Sequence, residues 1–253
     1  MVVLCDGMAR SGSTWSFNVA LKLLRTCGTR RAFGLSSEGR AVLAAGIKPR
    51  SSHLVIKSHG LDPFARELCC SNKIKVIYTW RNPYDVVVSC HRMFGLPVEH
   101  WTSVLRNSLR VWSFHRATNT AHIVSYEGLM SDPSAEITGI AGYLGLCISG
   151  EELGRIVREV SFERMKDLSE HVSGLPSSRL VRSGDSIYDR ETLLHQNHIR
   201  NGGTGYGARI LDERQLKAID AVLDDEGFDF LREPRHSMEA AGWQAAVPSE
   251  FCP

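Results

Sequence analysis

Residues 2–15 read VVLCDGMARSGSTW, a short apolar strand followed by a glycine-containing turn and the start of a helix. The turn is spaced like the phosphate-binding P-loop, G-x-x-x-x-G-K-[ST], with Gly7 and Gly12 as its two glycines. Ser13 stands where that pattern has the lysine that reaches the β and γ phosphates. The sequence therefore predicts a turn that binds a phosphate at a helix N-terminus, with Arg10 adding a full charge, but that handles no Mg-triphosphate.

Length and composition indicate one globular domain. The chain has 253 residues, of which 43% are hydrophobic, enough to bury a substantial core in a single domain over residues 1–253. A formal net charge of +2 is too small to indicate a nucleic-acid-binding protein. We therefore expect no nucleic-acid partner.

The cysteines and the N-terminus indicate the compartment. Seven cysteines without a C-x-x-C pair favour neither a disulfide framework nor a zinc site, and we expect no metal. A charged residue, Asp6, follows only five apolar ones, and no apolar run approaches the length of a membrane span. We therefore expect a cytoplasmic protein without a membrane association.

Strand and helix signals alternate along the first half of the chain. Apolar segments predict four buried strands at residues 2–5, 54–56, 74–79 and 122–125. A capping side chain precedes proline at residues 62–63, 82–83 and 132–133, which predicts three helix starts, and Asp212 predicts a last helix to about residue 225. The predicted fold class is α/β, a P-loop-like parallel sheet with helices on both faces that binds ligands beyond the carboxyl ends of its strands.

Residues 166–208 differ from the rest of the chain. Their periodicity fades into serine, glycine, arginine and histidine over a length unusual for a simple connection. We expect a mobile lid or binding segment there.

Polar residues follow each predicted strand at this ligand-binding edge. Lys57 and His59 follow the second strand, where an imidazole can take a proton from a nucleophile near neutral pH. Arg81 follows the third strand, and Ser89 lies about two turns into the helix that starts there, so the two could share one anion. These residues predict a second phosphate site and a general base. Trp101, Trp112 and Phe114 are candidates for an apolar wall, although such residues on a helix more often belong to the core.

Six motifs in a fixed order resemble the sulfotransferases that use 3′-phosphoadenosine 5′-phosphosulfate (PAPS), in particular the cytosolic type. The family's P-K-S-G-T-T-W loop is similar to residues 9–15 and its K-T-H to residues 57–59. Its R-N-P-x-D motif with a serine eight residues after the arginine is complete from Arg81 to Ser89. Its Y-E-D, S-F-x-x-M and R-K-G-x-x-G motifs resemble residues 125–127, 161–165 and 200–205.

The resemblance implies an enzyme that moves the sulfuryl group of PAPS in line to a hydroxyl, or to an amine or carbamoyl nitrogen, of a small-molecule acceptor. His59 would be the general base, with Lys57 and Arg10 balancing charge, and the product would be adenosine 3′,5′-bisphosphate (PAP). The cofactor-binding residues implied by the motifs are Arg10, Ser11, Gly12, Ser13, Thr14, Trp15, Arg81, Ser89, Tyr126, Ser161, Phe162, Met165, Arg200, Asn201 and Gly202.

Three departures from the family pattern matter. Arg10 replaces a lysine and cannot donate a proton as an acid near pH 7, so its role would be electrostatic. Asn201 replaces a lysine of the last motif, which would weaken 3′-phosphate binding. The family's dimer motif is not evident near the C-terminus, so the oligomeric state stays open. Two alternatives remain, a P-loop small-molecule kinase and a nucleotide-binding module without chemistry.

Overall fold

A five-stranded parallel sheet lies at the centre of the protein. The computed structural model describes residues 1–27, 31–35, 52–61, 63–184 and 186–232. The strands lie in the order β2 (Arg31–Leu35), β3 (Ser52–Lys57), β1 (Val2–Gly7), β4 (Lys75–Trp80) and β5 (Ala121–Ser125), and all neighbours are parallel. The predicted α/β fold and its four strands are confirmed, and β2 is a fifth strand that the sequence did not predict.

Helices connect the strands and cover the sheet. Within the described residues they are α1 (Ser13–Thr26), α2 (Pro63–Cys70), α3 (Pro83–Phe94), α4 (Val98–Thr118), α5 (Tyr126–Ser131), α6 (Pro133–Leu144), α7 (Gly150–Glu159), α8 (Phe162–Glu170), α9 (Gly207–Ile210) and α10 (Glu213–Asp225). None of these helices has both the length and the apolar composition that crossing a bilayer requires.

The sheet is buried on both faces because its strands are apolar at successive positions. Leu4 and Tyr78 belong to a core that includes residues of α3, α4 and α10, whereas Val3 and Ile77 belong to a second core with α1 and α6. Successive side chains of a strand point to opposite faces, so each strand contributes to both cores. The prediction of helices on both faces is confirmed.

Side-chain caps start the helices where the sequence predicts them. The Asn82 side chain accepts hydrogen bonds from the backbone N–H groups of Tyr84 and Asp85, and Asp132 accepts one from Ala135. Asp212 caps α10 in a reciprocal pair with Gln215. The cap predicted at residue 62 lies outside the described residues, although α2 does begin at Pro63.

Residues 166–208 contain more regular structure than the sequence predicted. Their first residues continue α8, and an antiparallel hairpin follows, formed by β6 (Leu180–Ser183) and β7 (Ser186–Asp189). A two-bond ion pair between Arg179 and Asp189 closes the hairpin, and Ser169 of α8 makes hydrogen bonds with the backbone of His195 and His198. These contacts hold the segment against α8.

A buried histidine gives the fold an expected pH dependence. His115 of α4 is 1% exposed, its Nδ1 lies 3.0 Å from Thr120 Oγ1, and its Nε2 has no hydrogen-bond partner among the described residues. Burial, with a smaller contribution from Arg66, lowers the pKa of His115 to about 4. Because the unfolded chain binds this proton at higher pH, stability should be lost as the pH falls from about 6.5 towards 4.

We therefore expect the unfolding free energy of His115→Gln to decrease less than that of wild type as the pH falls. Wild type should lose more unfolding free energy than His115→Gln between neutral and acid pH. This excess loss should approach roughly 1.4 kcal/mol for each unit between the folded and unfolded pKa of His115. Urea unfolding at pH 4.5 and pH 7.5 measures it, with His100→Gln on the exposed face of α4 as the control. Equal acid slopes in wild type and His115→Gln would contradict the assignment.

Candidate active site

The glycine turn between β1 and α1 has the backbone geometry of an anion site. Gly12 is the N-cap of α1, with φ 95° and no capping side chain, and a Cβ there would lie 2.8 Å from Leu129 Cδ2. Arg10 also has a positive φ, 61°. β1 lies between β3 and β4, so this turn occupies the point where the strand order changes direction, the usual ligand position in such sheets.

A cleft of about 920 Å³ opens at this edge of the sheet. It gathers residues from all six of the predicted motifs, together with side chains that the sequence did not single out. The predicted residues that line it are Arg10, Gly12, Ser13, Thr14, Trp15, Lys57, His59, Arg81, Ser89, Tyr126, Phe162, Met165, Arg200, Asn201 and Gly202.

Two predicted residues do not line this cleft. The Ser11 hydroxyl is fully buried and hydrogen-bonds to the Met8 and Thr79 carbonyl oxygens at 2.7 and 3.0 Å, which fixes the turn to β4. Ser161 caps α8 by accepting a hydrogen bond from the Arg164 backbone N–H. In this structure the hydroxyls of both serines stabilise the backbone beside the cleft, Ser11 in the glycine turn and Ser161 at the start of α8.

Lys57 and His59 form a pair in the cleft. The Lys57 Nζ lies 3.1 Å from His59 Nε2, and His59 Nδ1 lies 3.2 Å from the Gly7 carbonyl oxygen. Since the carbonyl can only accept, Nδ1 carries the proton of the neutral ring and Nε2 is the basic atom. Ser13 Oγ lies 3.5 Å from the same Nε2. Nε2 therefore faces the glycine turn.

Desolvation and charge lower the pKa values of both members of this pair. The His59 side chain is exposed in the cleft, and the protein atoms around the ring, followed by the charge of Lys57, lower the pKa of His59 below its ordinary value. Burial lowers the pKa of Lys57 to about 8. At neutral pH His59 is therefore uncharged and able to accept a proton, whereas Lys57 remains largely cationic.

Arg10 connects the two predicted phosphate sites. Its Nε donates to Ser89 Oγ at 3.1 Å, and its Nη2 donates to the His198 carbonyl oxygen at 2.7 Å. The guanidinium therefore bonds to the side of the cleft that holds Ser89, and the structure shows no hydrogen bond from it to Lys57 or His59.

Arg81 is buried in the wall of the cleft. It is 4% exposed, and its guanidinium lies 4.0 Å from the centre of the Tyr126 ring. Its Nη1 and Nη2 donate to the carbonyl oxygens of Arg10 and Gly203 at 3.0 and 2.7 Å, and its Nε has no partner among the described residues. These contacts join the glycine turn, the end of β4 and residues 200–205, the last of the six motifs, which we call the closing motif.

Asp85 has a role that the sequence analysis did not identify. Its fully buried carboxylate accepts backbone N–H bonds from Gly205, Tyr206 and Gly207 at 2.7, 3.0 and 2.6 Å. It thereby fixes the end of the closing motif to the N-terminus of α3. A carboxylate in the first turn of a helix is already explained by its favourable interaction with the helix dipole. The sequence therefore gives no reason to expect a second role for Asp85.

The far side of the cleft is aromatic and contains two further histidines. Trp101 and Phe94 pack together with ring centres 5.2 Å apart. His195 and His198 also line the cleft, and their own ring centres are 5.3 Å apart. Of the three aromatic candidates, Trp101 alone lines the cleft, because Trp112 stacks on Trp80 in the core and Phe114 packs against that core. Both histidines lie in residues 166–208, where the sequence shows no periodicity.

Comparisons with known proteins agree with one another. The family model "Sulfotransferase domain" matches residues 22–224. Amine sulfotransferase from Oryctolagus cuniculus is 24% identical over 73% of this chain and 64% of its own length. Sulfotransferase 1A1 from Mus musculus is 30% identical over 48% of each chain, and Sulfotransferase 2A1 from Homo sapiens is 28% identical over 78% of this chain and 70% of its own length. The matches span 64% and 48% of the lengths of the first two of these curated relatives.

Solved structures share the fold. Mouse sulfotransferase SULT7A1 complexed with PAP has a TM-score of 0.66 at 17% identity, covering 93% of this chain and 88% of its own. Retinol dehydratase in complex with androsterone and PAP has a TM-score of 0.61 at 17% identity, covering 89% and 80%.

Proposed function

The chain belongs to the sulfotransferase domain family, and from this membership we propose that it transfers a sulfuryl group from PAPS to a small-molecule acceptor. One observation carries the proposal. A lysine-free phosphate turn, a Lys57–His59 pair and a separate arginine–serine anion site line the same cleft. This combination suits a nucleotide with phosphates at two positions better than it suits a triphosphate.

The charges of the cleft fit such a donor. The cationic side chains lining it include Arg10, Lys57, Arg81, Lys166 and Arg200, whereas Glu170 is the one carboxylate among the described lining residues. Both of the structural neighbours named above are complexes with PAP.

Each part of the donor has residues suited to it. The 5′-phosphosulfate would lie against the N-terminus of α1, and the 3′-phosphate against Arg81, Ser89 and the closing motif that includes Arg200. Trp15, Phe162 and Met165 supply apolar surface for the adenine. Gly202 allows close packing in the closing motif, because its φ is 63° and a Cβ there would lie 2.7 Å from Phe162 Cε2.

The residues of the chain then perform three tasks. PAPS supplies the activated sulfuryl group. His59 Nε2 accepts the proton of the acceptor, which makes that acceptor a nucleophile. Lys57 offers a charged donor beside the same atom, suited to stabilise negative charge that develops on oxygen in the transition state. Arg10 contributes charge and cannot act as the acid.

A small-molecule hydroxyl is the proposed acceptor group, with an amine or carbamoyl nitrogen as the second possibility. The aromatic wall of Phe94 and Trp101 offers a surface for an apolar acceptor body near His59. Among the relatives and neighbours, one is named an amine sulfotransferase, and others are complexes with androsterone or retinol.

A kinase function is not favoured. Ser13 occupies the place of the P-loop lysine, and the family match is to a sulfotransferase domain. A binding module without chemistry would leave Lys57 and His59 unexplained. We also propose that residues 166–208 close over bound donor, because Arg200 would reach the 3′-phosphate from this segment. The cytosolic type of the family supports a cytoplasmic location.

Transfer of radioactive sulfate from labelled PAPS tests the proposal. Purified protein would be incubated with a phenol, a steroid alcohol, an aliphatic alcohol and an aryl amine, and the labelled product would be separated from the donor. We expect label on at least one acceptor, with release of PAP in equal amount. PAP release without label on any acceptor, or labelling that depends on added ATP, would contradict the proposal.

A further inference from the structure

Arg92 is a cation in the cleft that no family motif includes. It lies on α3 three residues after Ser89, and residues three apart occupy the same face of a helix. Its side chain is exposed and lines the cleft together with Ser89 and Arg81. Within the described part of the chain it forms no salt bridge with a carboxylate, so its charge is available to a ligand.

Tyr206 joins Arg92 to the proposed 3′-phosphate site. The Arg92 guanidinium carbon lies 5.6 Å from the centre of the Tyr206 ring, and that of Arg81 lies 5.9 Å from the same centre. The backbone N–H of Tyr206 is fixed by the Asp85 carboxylate at 3.0 Å. The backbone of Tyr206 is therefore held in place, and its ring lies close to both arginines.

The closing motif lacks one positive charge. Asn201 stands where the family pattern has a lysine, and its side chain lines the same cleft without a charge. A doubly charged phosphate group needs charge-assisted donors, and a neutral amide is a weaker partner than an ammonium or a guanidinium.

We propose that Arg92 replaces this missing charge and binds the 3′-phosphate of the donor together with Arg81 and Ser89. The inference rests on the proposed function, because it requires a nucleotide with a 3′-phosphate. It assigns the cation to α3, whereas the family pattern has it in the closing motif. The α3 face that carries Ser89 and Arg92 then forms one side of the phosphate site.

Calorimetric titration with two nucleotides tests this assignment. PAP carries the 3′-phosphate and adenosine 5′-monophosphate (AMP) lacks it, so the ratio of their dissociation constants isolates that group. Arg92→Ala should raise the Kd for PAP about tenfold, the lower end expected for one charge-assisted contact, and leave the Kd for AMP unchanged. Arg158→Ala removes the same charge on α7 away from the cleft and is the matched control.

A second variant separates charge from packing. Asn201→Lys in the Arg92→Ala background restores a cation from the closing motif, and we expect it to recover most of the lost PAP affinity. Equal weakening of PAP and AMP by Arg92→Ala, or no weakening of PAP, would overturn the inference while leaving the proposed function intact. A wild-type protein that does not bind PAP would overturn both.

Discussion

His59→Ala is expected to reduce sulfuryl transfer by about a hundredfold to ten-thousandfold, the usual cost of losing a positioned general base. The reason lies in the hydrogen bonds of the ring. Nδ1 is engaged by the Gly7 carbonyl at 3.2 Å, so the basic Nε2 faces the cleft beside Lys57. Alanine removes the proton acceptor but leaves the glycine turn, and the affinity for PAP should change little.

The measurement pairs turnover with binding. Initial rates with labelled PAPS give the loss of activity, and titration with PAP gives the affinity of the same variant. His171→Ala, an exposed histidine at the end of α8, is the control and should retain wild-type activity. Normal turnover by His59→Ala would contradict the assignment of His59 as the base. A loss of PAP affinity as large as the loss of turnover would assign the residue to donor binding.

Arg81→Ala is expected to weaken PAP binding by roughly 10- to 150-fold, the equivalent of 1.5–3 kcal/mol for a charge-assisted contact. Arg81 also bonds to the carbonyl oxygens of Arg10 and Gly203, so its loss should loosen the turn and the closing motif together. Arg81→Lys keeps the charge but loses the planar fork, and an intermediate affinity is expected for it.

Thermal unfolding of both Arg81 variants separates the site from the fold, because Arg81 is buried. The informative variant is the one that unfolds cooperatively near the wild-type temperature. An unchanged Kd for PAP in such a variant would count against the 3′-phosphate assignment of Arg81.

The sheet and the core of the site could be predicted because they depend on local patterns. Apolar segments predict strands, and the capping of α3 by Asn82 follows from a side-chain oxygen placed before proline. Parallel strands present their carboxyl ends at one edge, which was sufficient to bring Lys57, His59 and Arg81 together.

The remaining parts depend on contacts between segments distant in the chain. The Asp85 carboxylate accepts hydrogen bonds from backbone N–H groups 120 to 122 residues away in the chain. No local sequence pattern predicts a partner at that distance. The strand β2 is only five residues long, RAFGL, and its mixture of apolar and other residues gives no clear alternation. The hairpin β6–β7 was missed for a similar reason, since its strands have four residues each.

Two motif residues have structural contacts that the motifs do not indicate, and one cleft residue lies outside the motifs. Ser11 and Ser161 belong to motifs, but their hydroxyls are used within a turn and a helix cap. Arg92 belongs to no motif, yet its spacing of three from Ser89 on a helix was a signal available in the sequence. Motif membership and position on a helix face are therefore complementary guides to the cleft.

The most direct test of the account is calorimetric titration of the wild-type protein with PAP, alongside ATP with Mg²⁺. The account predicts tight binding of the bisphosphate alone, because it proposes two separate phosphate sites in the cleft and Ser13 stands in place of the triphosphate lysine. Binding of the Mg-triphosphate alone would contradict it and would leave Arg81 and Ser89 without their proposed role.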